Sequence, residues 1–207
     1  MKATSRMPLS ALLLNCTLKP SPADSSCGLL LTHLAAELET HEVVCEQVRV
    51  VDHDVRPGVR SDEGTGDEWP AIRAKILAAQ ILVVGTPIWL GHPSSICQRV
   101  LERLDALLGE TDERGRMIAY DRVALVAVVG NEDGAHHVVA EVYQGLADVG
   151  FTVPASGATY WVGEAMGRID YNDLPAPPPK TAAATATAAR QAAHLARLLQ
   201  ESQYPAG

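Results

Sequence analysis

The chain has 207 residues, 47% of them hydrophobic and only 4% aromatic, enough for one cored domain and incompatible with disorder throughout. Its 17 basic and 25 acidic residues leave a formal charge of -8, with no dense Lys/Arg cluster, which excludes a nucleic-acid partner. The four cysteines match no metal or redox spacing, so free thiols are expected. No run approaches a membrane span, no secretory cleavage site follows the first apolar run, and a cytoplasmic protein is expected.

Residues 1–7 read as a loose tail. The apolar run from Leu9 to Leu14 closes at Asn15 and predicts a short buried parallel strand. Prolines and small polar residues bar helix over 15–24. A helix is predicted from Ser25 or Ser26 through Glu39, with Leu30, Leu34 and Leu38 on one face. Val43–Val51 supplies a second strand. Residues 52–68, rich in Asp, Glu, Gly and Arg, read as a mobile surface loop. Trp69–Ala79 reads as a short helix with Ile72 and Ile76 one turn apart.

The third strand, Ile81–Val84, is expected to stop at Gly85-Thr86-Pro87. The next helix, Ser94–Leu108, aligns Ile96, Val100, Leu104 and Leu108 and leaves Arg99, Glu102 and Arg103 elsewhere on its surface. Residues 109–120 form a polar excursion before the most apolar strand, Val123–Val129. A helix ending near Val149 buries Val138, Val142 and Leu146. Phe151–Val153 starts a fifth strand, with Tyr160-Trp161-Val162 beyond a Pro154/Gly157 interruption. The expected division is a domain over 8–173, a stiff Pro-rich linker over 174–180 and an Ala-rich helix over 181–200, whose apolar end carries Leu195, Leu198 and Leu199.

This strand–helix alternation predicts a parallel sheet with helices on both faces. Ligands in such sheets bind beyond the carboxyl ends of the strands. Three loops there carry chemistry. After the first strand there is neither G-x-G-x-x-G nor a P-loop, but Thr17, Ser21, Ser25 and Ser26 lead into a helix start, with Lys19 adding one positive charge. Hydroxyls and helix-terminal N–H groups suit a monophosphate, although a serine there also serves as an N-cap. After the third strand, Pro87, Ile88, Trp89, Leu90 and Gly91 offer apolar walls and a glycine for a flat ring; Trp89 equally suits a core lid or an interface. After the fourth, Gly130, Asn131, Glu132 and Gly134 free backbone N–H groups to face negative charge, with His136 or His137 nearby. Two adjacent histidines beside Glu132 and Asp133 raise a metal site. Neighbours at a helix start diverge, however, and H-E-x-x-H is absent, so no metal is expected. Tyr160 and Trp161 are large rings suited to packing on a ring or a partner subunit.

These loops, in order, resemble those of the flavodoxin-like NAD(P)H-dependent FMN reductase family over roughly residues 8–170. The resemblance implies a three-layer, doubly wound, five-stranded parallel sheet in the order 2-1-3-4-5. It implies that Thr17, Ser25 and Ser26 hold the FMN phosphate, that Pro87–Gly91 touch the ring and ribityl chain, and that Gly130, Asn131, Glu132 and Gly134 line the pyrimidine side. NADH or NADPH would be the hydride donor, a quinone, flavin or similar planar compound the acceptor, and a homodimer or homotetramer the assembly. No side chain is singled out as catalytic; His136 is a candidate contact for bound substrate. Arg56, Arg60, Arg114 and Arg116 are candidates for a 2′-phosphate subsite. A non-enzymatic electron-transfer flavoprotein, and a domain that has lost FMN, are the competing readings.

Overall fold

A computed structural model describes residues 8–206; the expected tail over 1–7 lies outside the described residues. The strands are β1 (Leu9–Asn15), β2 (Val43–Arg49), β3 (Ile81–Trp89), β4 (His92–Pro93), β5 (Val123–Gly130) and β6 (Ala158–Val162). The five longer ones form one parallel sheet, ordered β2-β1-β3-β5-β6, which is the expected 2-1-3-4-5 succession. The chain leaves β1 toward one edge and returns through β3 toward the other. The order therefore reverses at β1/β3, where a crevice opens at the carboxyl ends.

Alternation along β1 builds two cores. Leu12 and Leu14 join α2 (Trp69–Ala78), α3 (Ser95–Leu104) and α4 (Ala135–Asp148) on one face. Leu9, Ala11 and Leu13 join α1 (Ser26–Glu39) and α5 (Pro179–Glu201) on the other. The result is the flavodoxin-like three-layer α/β fold. Its last helix buries a stripe of small residues, Ala188, Ala189, Ala192, Ala193 and Ala196, rather than its leucines alone; Leu198 stays exposed. A buried hydroxyl pair, Thr159 Oγ1 to Thr185 Oγ1 at 2.7 Å, ties β6 to α5. Pro179 opens this helix, two positions before the expected Thr181, because proline fits a first turn that needs no N–H. Among the described residues, no helix is long and apolar enough to cross a membrane. All four cysteines are free thiols.

Several expectations are corrected. β3 runs through Gly85 and Pro87 to Trp89 instead of stopping at Val84. Its pairing with β1 ends at Asn15 opposite Gly85, so Pro87 sits where that neighbour no longer needs an N–H. The fifth parallel strand is Ala158–Val162; Thr152 makes only an isolated bridge to Val123. α3 tightens into a 3-10 turn over Asp105–Gly109, which buries Leu107 in place of Leu108. β2 stops at Arg49 and continues as a 3-10 turn over Val50–Asp52.

The largest correction concerns 52–68. Arg103, expected on the surface, is fully buried and fastens this segment. Its guanidinium donates to the carbonyl oxygens of Arg60 (3.0 Å) and Arg56 (2.9 Å) and to the Asp67 carboxylate (2.7 Å). Asp67 also accepts the N–H groups of Arg56, Glu63 and Trp69. A segment read as mobile is thus tied at several points to α3.

Candidate functional site

A cavity of about 480 Å³ opens at the carboxyl ends of β1, β3 and β5, within the range of small-molecule sites. The loop after β1 supplies Thr17, Lys19, Ser25 and Ser26 to its lining. Ser25 has two duties there. It is the N-cap of α1, its Oγ accepting the Gly28 N–H at 3.0 Å, and it is buried beside the cavity. The Ser25 carbonyl accepts from Leu29, so the first-turn amides of Ser26 and Cys27 are the ones left for a ligand. Arg49, at the end of β2, donates to the carbonyl of Ala23 at 2.8 Å and fixes the loop from outside. Ser21 does not line the cavity. Its N–H and hydroxyl bond Asp52, and these hydrogen bonds hold that carboxyl below its ordinary range.

The segment after β3 is a hairpin. Leu90 and Gly91 both have positive φ, 51° and 78°, the pattern of a tight two-residue turn, and β4 returns antiparallel to β3. Pro87, Ile88, Trp89 and Leu90 line the cavity, while Gly91 lies at the tip outside it. Gly91 instead serves the turn, through its positive φ; a Cβ there would meet open space. A Cβ on Gly134 would lie 2.9 Å from the Gly91 Cα, so it is the glycine at 134 that lets the hairpin tip meet the start of α4. Gly134 therefore supports the wall without lining it. Glu132 lines the cavity and accepts the Leu90 N–H at 2.8 Å, fastening the hairpin.

Gly130 and Asn131 also line the cavity. The Asn131 amide donates to Asp170 at 2.9 Å, while its Oδ1 is buried without a hydrogen-bond partner. Such an orphaned acceptor is costly unless a donor arrives, which suits the imide N–H of a flavin pyrimidine. His136 and Tyr160, both expected at the site, pair with each other instead (Nε2 to OH, 3.2 Å) outside the cavity. Strand alternation explains this: Tyr160 points one way, and Trp161 turns into the core and the cavity wall.

Sequence reasoning missed the far wall. Met166 and Gly167 end a loop that stands out only for Tyr160 and Trp161, and Asp170 and Tyr171 follow in a segment without periodicity, where no signal marks them. Tyr171 is buried, packs at a tilt against Trp161 with ring centroids 5.5 Å apart and bonds His33 Nδ1 through its hydroxyl at 2.9 Å. Burial raises the Tyr171 hydroxyl and lowers the His33 imidazole, so both are neutral at pH 7. Burial also pushes the Cys27 thiol far above its ordinary range, which leaves the wall without a thiolate. Trp89, Leu90 and Met166 form an exposed apolar rim, Leu90 being 90% exposed. Arg114 and Arg116 do not line this cavity. Arg116 pairs with Asp112 and Asp121, and Arg114 with Gln203.

The arrangement has donors for a phosphate at β1 and an acceptor for an imide at β5. These two strands are two sheet spacings apart, roughly 10 Å, with apolar walls between. The residues present fit a flavin mononucleotide.

Comparison with known proteins agrees with this geometry. The family described as NADPH-dependent FMN reductase matches residues 10–166. The divalent metal cation transporter MntH of Mycobacterium bovis is 38% identical over 169 residues, covering 80% of this chain but only 25% of that protein. The 8-demethyl-8-aminoriboflavin-5′-phosphate synthase of Streptomyces davaonensis is 38% identical over 171 residues, covering 77% of this chain and 65% of that protein. The chain thus spans a quarter and just under two thirds of these two relatives. The crystal structure of RosB with bound 8-demethyl-8-formylriboflavin-5′-phosphate superposes with a TM-score of 0.86 at 34% identity, over 95% of this chain and 82% of that one. An NADH:FMN oxidoreductase, EMOB, in its apo form, shares the fold alone, with a TM-score of 0.63 at 16% identity over 93% and 90% of the two chains.

Proposed function

Because the chain belongs to the NADPH-dependent FMN reductase family, we propose that its cavity binds FMN and that the protein is an FMN-dependent oxidoreductase, with NADH or NADPH as donor and a quinone, flavin or similar planar acceptor. The observation that carries this is the convergence of three loops, after β1, β3 and β5, on one 480 Å³ cavity with a polar end and apolar walls. Bound FMN would supply the redox chemistry, taking a hydride equivalent from the nicotinamide and returning electrons to the acceptor. The chain's own part is binding and orientation. Thr17, Ser25, Ser26 and the first amides of α1 hold the phosphate, with Lys19 adding charge. Ile88, Trp89, Leu90 and Trp161 exclude water from the ring faces. Asn131 accepts a ring N–H. The exposed rim of Trp89, Leu90 and Met166 leaves one side open for a nicotinamide, an acceptor or a second copy in a homodimer or homotetramer.

Anaerobic mixing of the FMN-loaded protein with NADH and then NADPH tests the reading. Bleaching of the flavin band, followed by reoxidation on adding a quinone or free flavin, is the expected result. Tight FMN binding without bleaching by either nucleotide would favour a one-electron carrier instead.

The two riboflavin-phosphate relatives favour a second reading, in which the cavity takes a riboflavin-5′-phosphate as substrate rather than as resident cofactor. Release and chemical alteration of the flavin during turnover, seen by mass spectrometry, distinguishes it from retention of unmodified FMN.

A further inference from the structure

His92, on β4, and His137 and Glu141, one turn apart on α4, converge at the surface beside the cavity's hairpin. One ligand atom from each lies within 4.8 Å of the others. His92 Nδ1 and His137 Nε2 both lie 3.1 Å from the same oxygen, Glu141 Oε1. The two imidazole rings meet edge to face with centroids 5.1 Å apart. The sequence hides this cluster: the chain neighbours of His137 are His136, Glu132 and Asp133, whereas its partner His92 arrives from the β3–β4 hairpin.

From this geometry we infer that His92, His137 and Glu141 form a divalent transition-metal site, best suited to zinc. Zinc bonds to imidazole nitrogen and carboxylate oxygen are about 2.0–2.2 Å, so two ligands of a tetrahedral ion sit roughly 3.3 Å apart. Two of the three edges already have nearly that length. The third closes by rotation of an imidazole, which is free to turn because His92 and His137 are 61% and 55% exposed. Two imidazoles and one carboxylate make a borderline donor set, which disfavours calcium and magnesium, cations that need several oxygens. Three protein ligands leave a fourth position for water. An exposed ion pair contributes little to stability, so the triple convergence has little value to the fold as an ion pair alone.

The site would clip the β3–β4 hairpin to α4. The same hairpin carries Trp89 and Leu90, and its tip packs on Gly134 at the start of α4. Zinc would therefore hold a wall of the cavity, whatever ligand the cavity takes.

Calorimetric titration of zinc into the untagged, chelator-treated full chain tests the inference. One zinc per chain with micromolar affinity is expected. His92→Ala, His137→Ala and Glu141→Gln should each weaken it by more than about tenfold, the loss expected when a metal's coordination is disturbed. Zinc should also slow amide exchange at Leu90 and His92 in the wild type but not in His92→Ala. All three side chains are on the surface, and unchanged circular dichroism without metal confirms that the variants fold. Absence of saturable binding overturns the site. So does zinc uptake that survives the His92→Ala/His137→Ala double substitution.

Discussion

Two segments leave the carboxyl edge of the sheet, and they differ in a way their composition does not suggest. Residues 52–68 are charged and glycine-rich, yet Arg103 and Asp67, both with fully buried side chains, lock them to α3, with the guanidinium 5.6 Å from the Trp69 ring centroid. The hairpin over 86–93 is apolar, yet Trp89 and Leu90 are 54% and 90% exposed. It is held by Glu132 and a short β4 ladder. Charged residues were buried where they could satisfy backbone carbonyls and amides that had no ladder of their own. Apolar residues were left exposed where they rim a cavity. A polar loop can thus be the buried, tied one and an apolar loop the exposed one.

The largest test of this contrast is Arg103→Met. It strands the Asp67 carboxylate and the carbonyls of Arg56 and Arg60, and urea unfolding at pH 7 should show a loss of about 3–5 kcal/mol. A loss below ~1 kcal/mol would mean that 52–68 is not locked by this pair.

The pair should also carry a pH signature. Burial alone would raise the Asp67 carboxyl. The Arg103 hydrogen bond and the N–H groups of Glu63, Trp69 and Arg56 outweigh burial and hold it at about 2. The folded value lies below the unfolded value of about 3.9, so the stabilisation is full above pH ~4 and is lost as pH falls toward 2. The gap in unfolding midpoint between the wild type and Arg103→Met should narrow over that window. A constant gap would assign the effect to packing.

On the hairpin side, Gly134→Ala puts a Cβ against the Gly91 backbone at a φ of 122°, and should destabilise by about 1–3 kcal/mol while weakening FMN binding through the displaced wall. Ser25→Ala removes a cap and should lower stability by about 1 kcal/mol. Ser26→Ala, which leaves the cap intact, should weaken FMN binding with stability nearly unchanged; equal affinity in a fluorescence titration would displace the phosphate from this loop. The smallest effect on stability belongs to Trp89→Ala, within about 0.5 kcal/mol for so exposed a side chain. Bound-flavin fluorescence should nonetheless change, and an unaltered spectrum would place Trp89 away from the ring.

Most of the architecture was legible because its signals are local. Short apolar runs between turns mark buried strands, and leucines one turn apart mark the helix faces they bury, as Leu30, Leu34 and Leu38 do. That the loop after β1 and the Ile88–Leu90 segment line the cavity was legible too, since each lies within a few residues of a strand end. Tyr160 was misplaced because alternation depends on where β6 starts, and a Pro154/Gly157 interruption hid that start.

By itself the sequence determined the alternating layers, the free thiols and two of the cavity's walls, all of which follow from side-chain periodicity and turn chemistry over short spans. Only the tertiary structure decided that Arg103 goes inside, that Asn131 keeps an orphaned acceptor, that Trp161 and Tyr171 complete the cavity, and that His92 meets His137 and Glu141. Those outcomes depend on groups far apart in the chain being brought into contact. For Arg103, the cost of leaving buried polar groups unpaired outweighs the local preference of its helix for a surface charge.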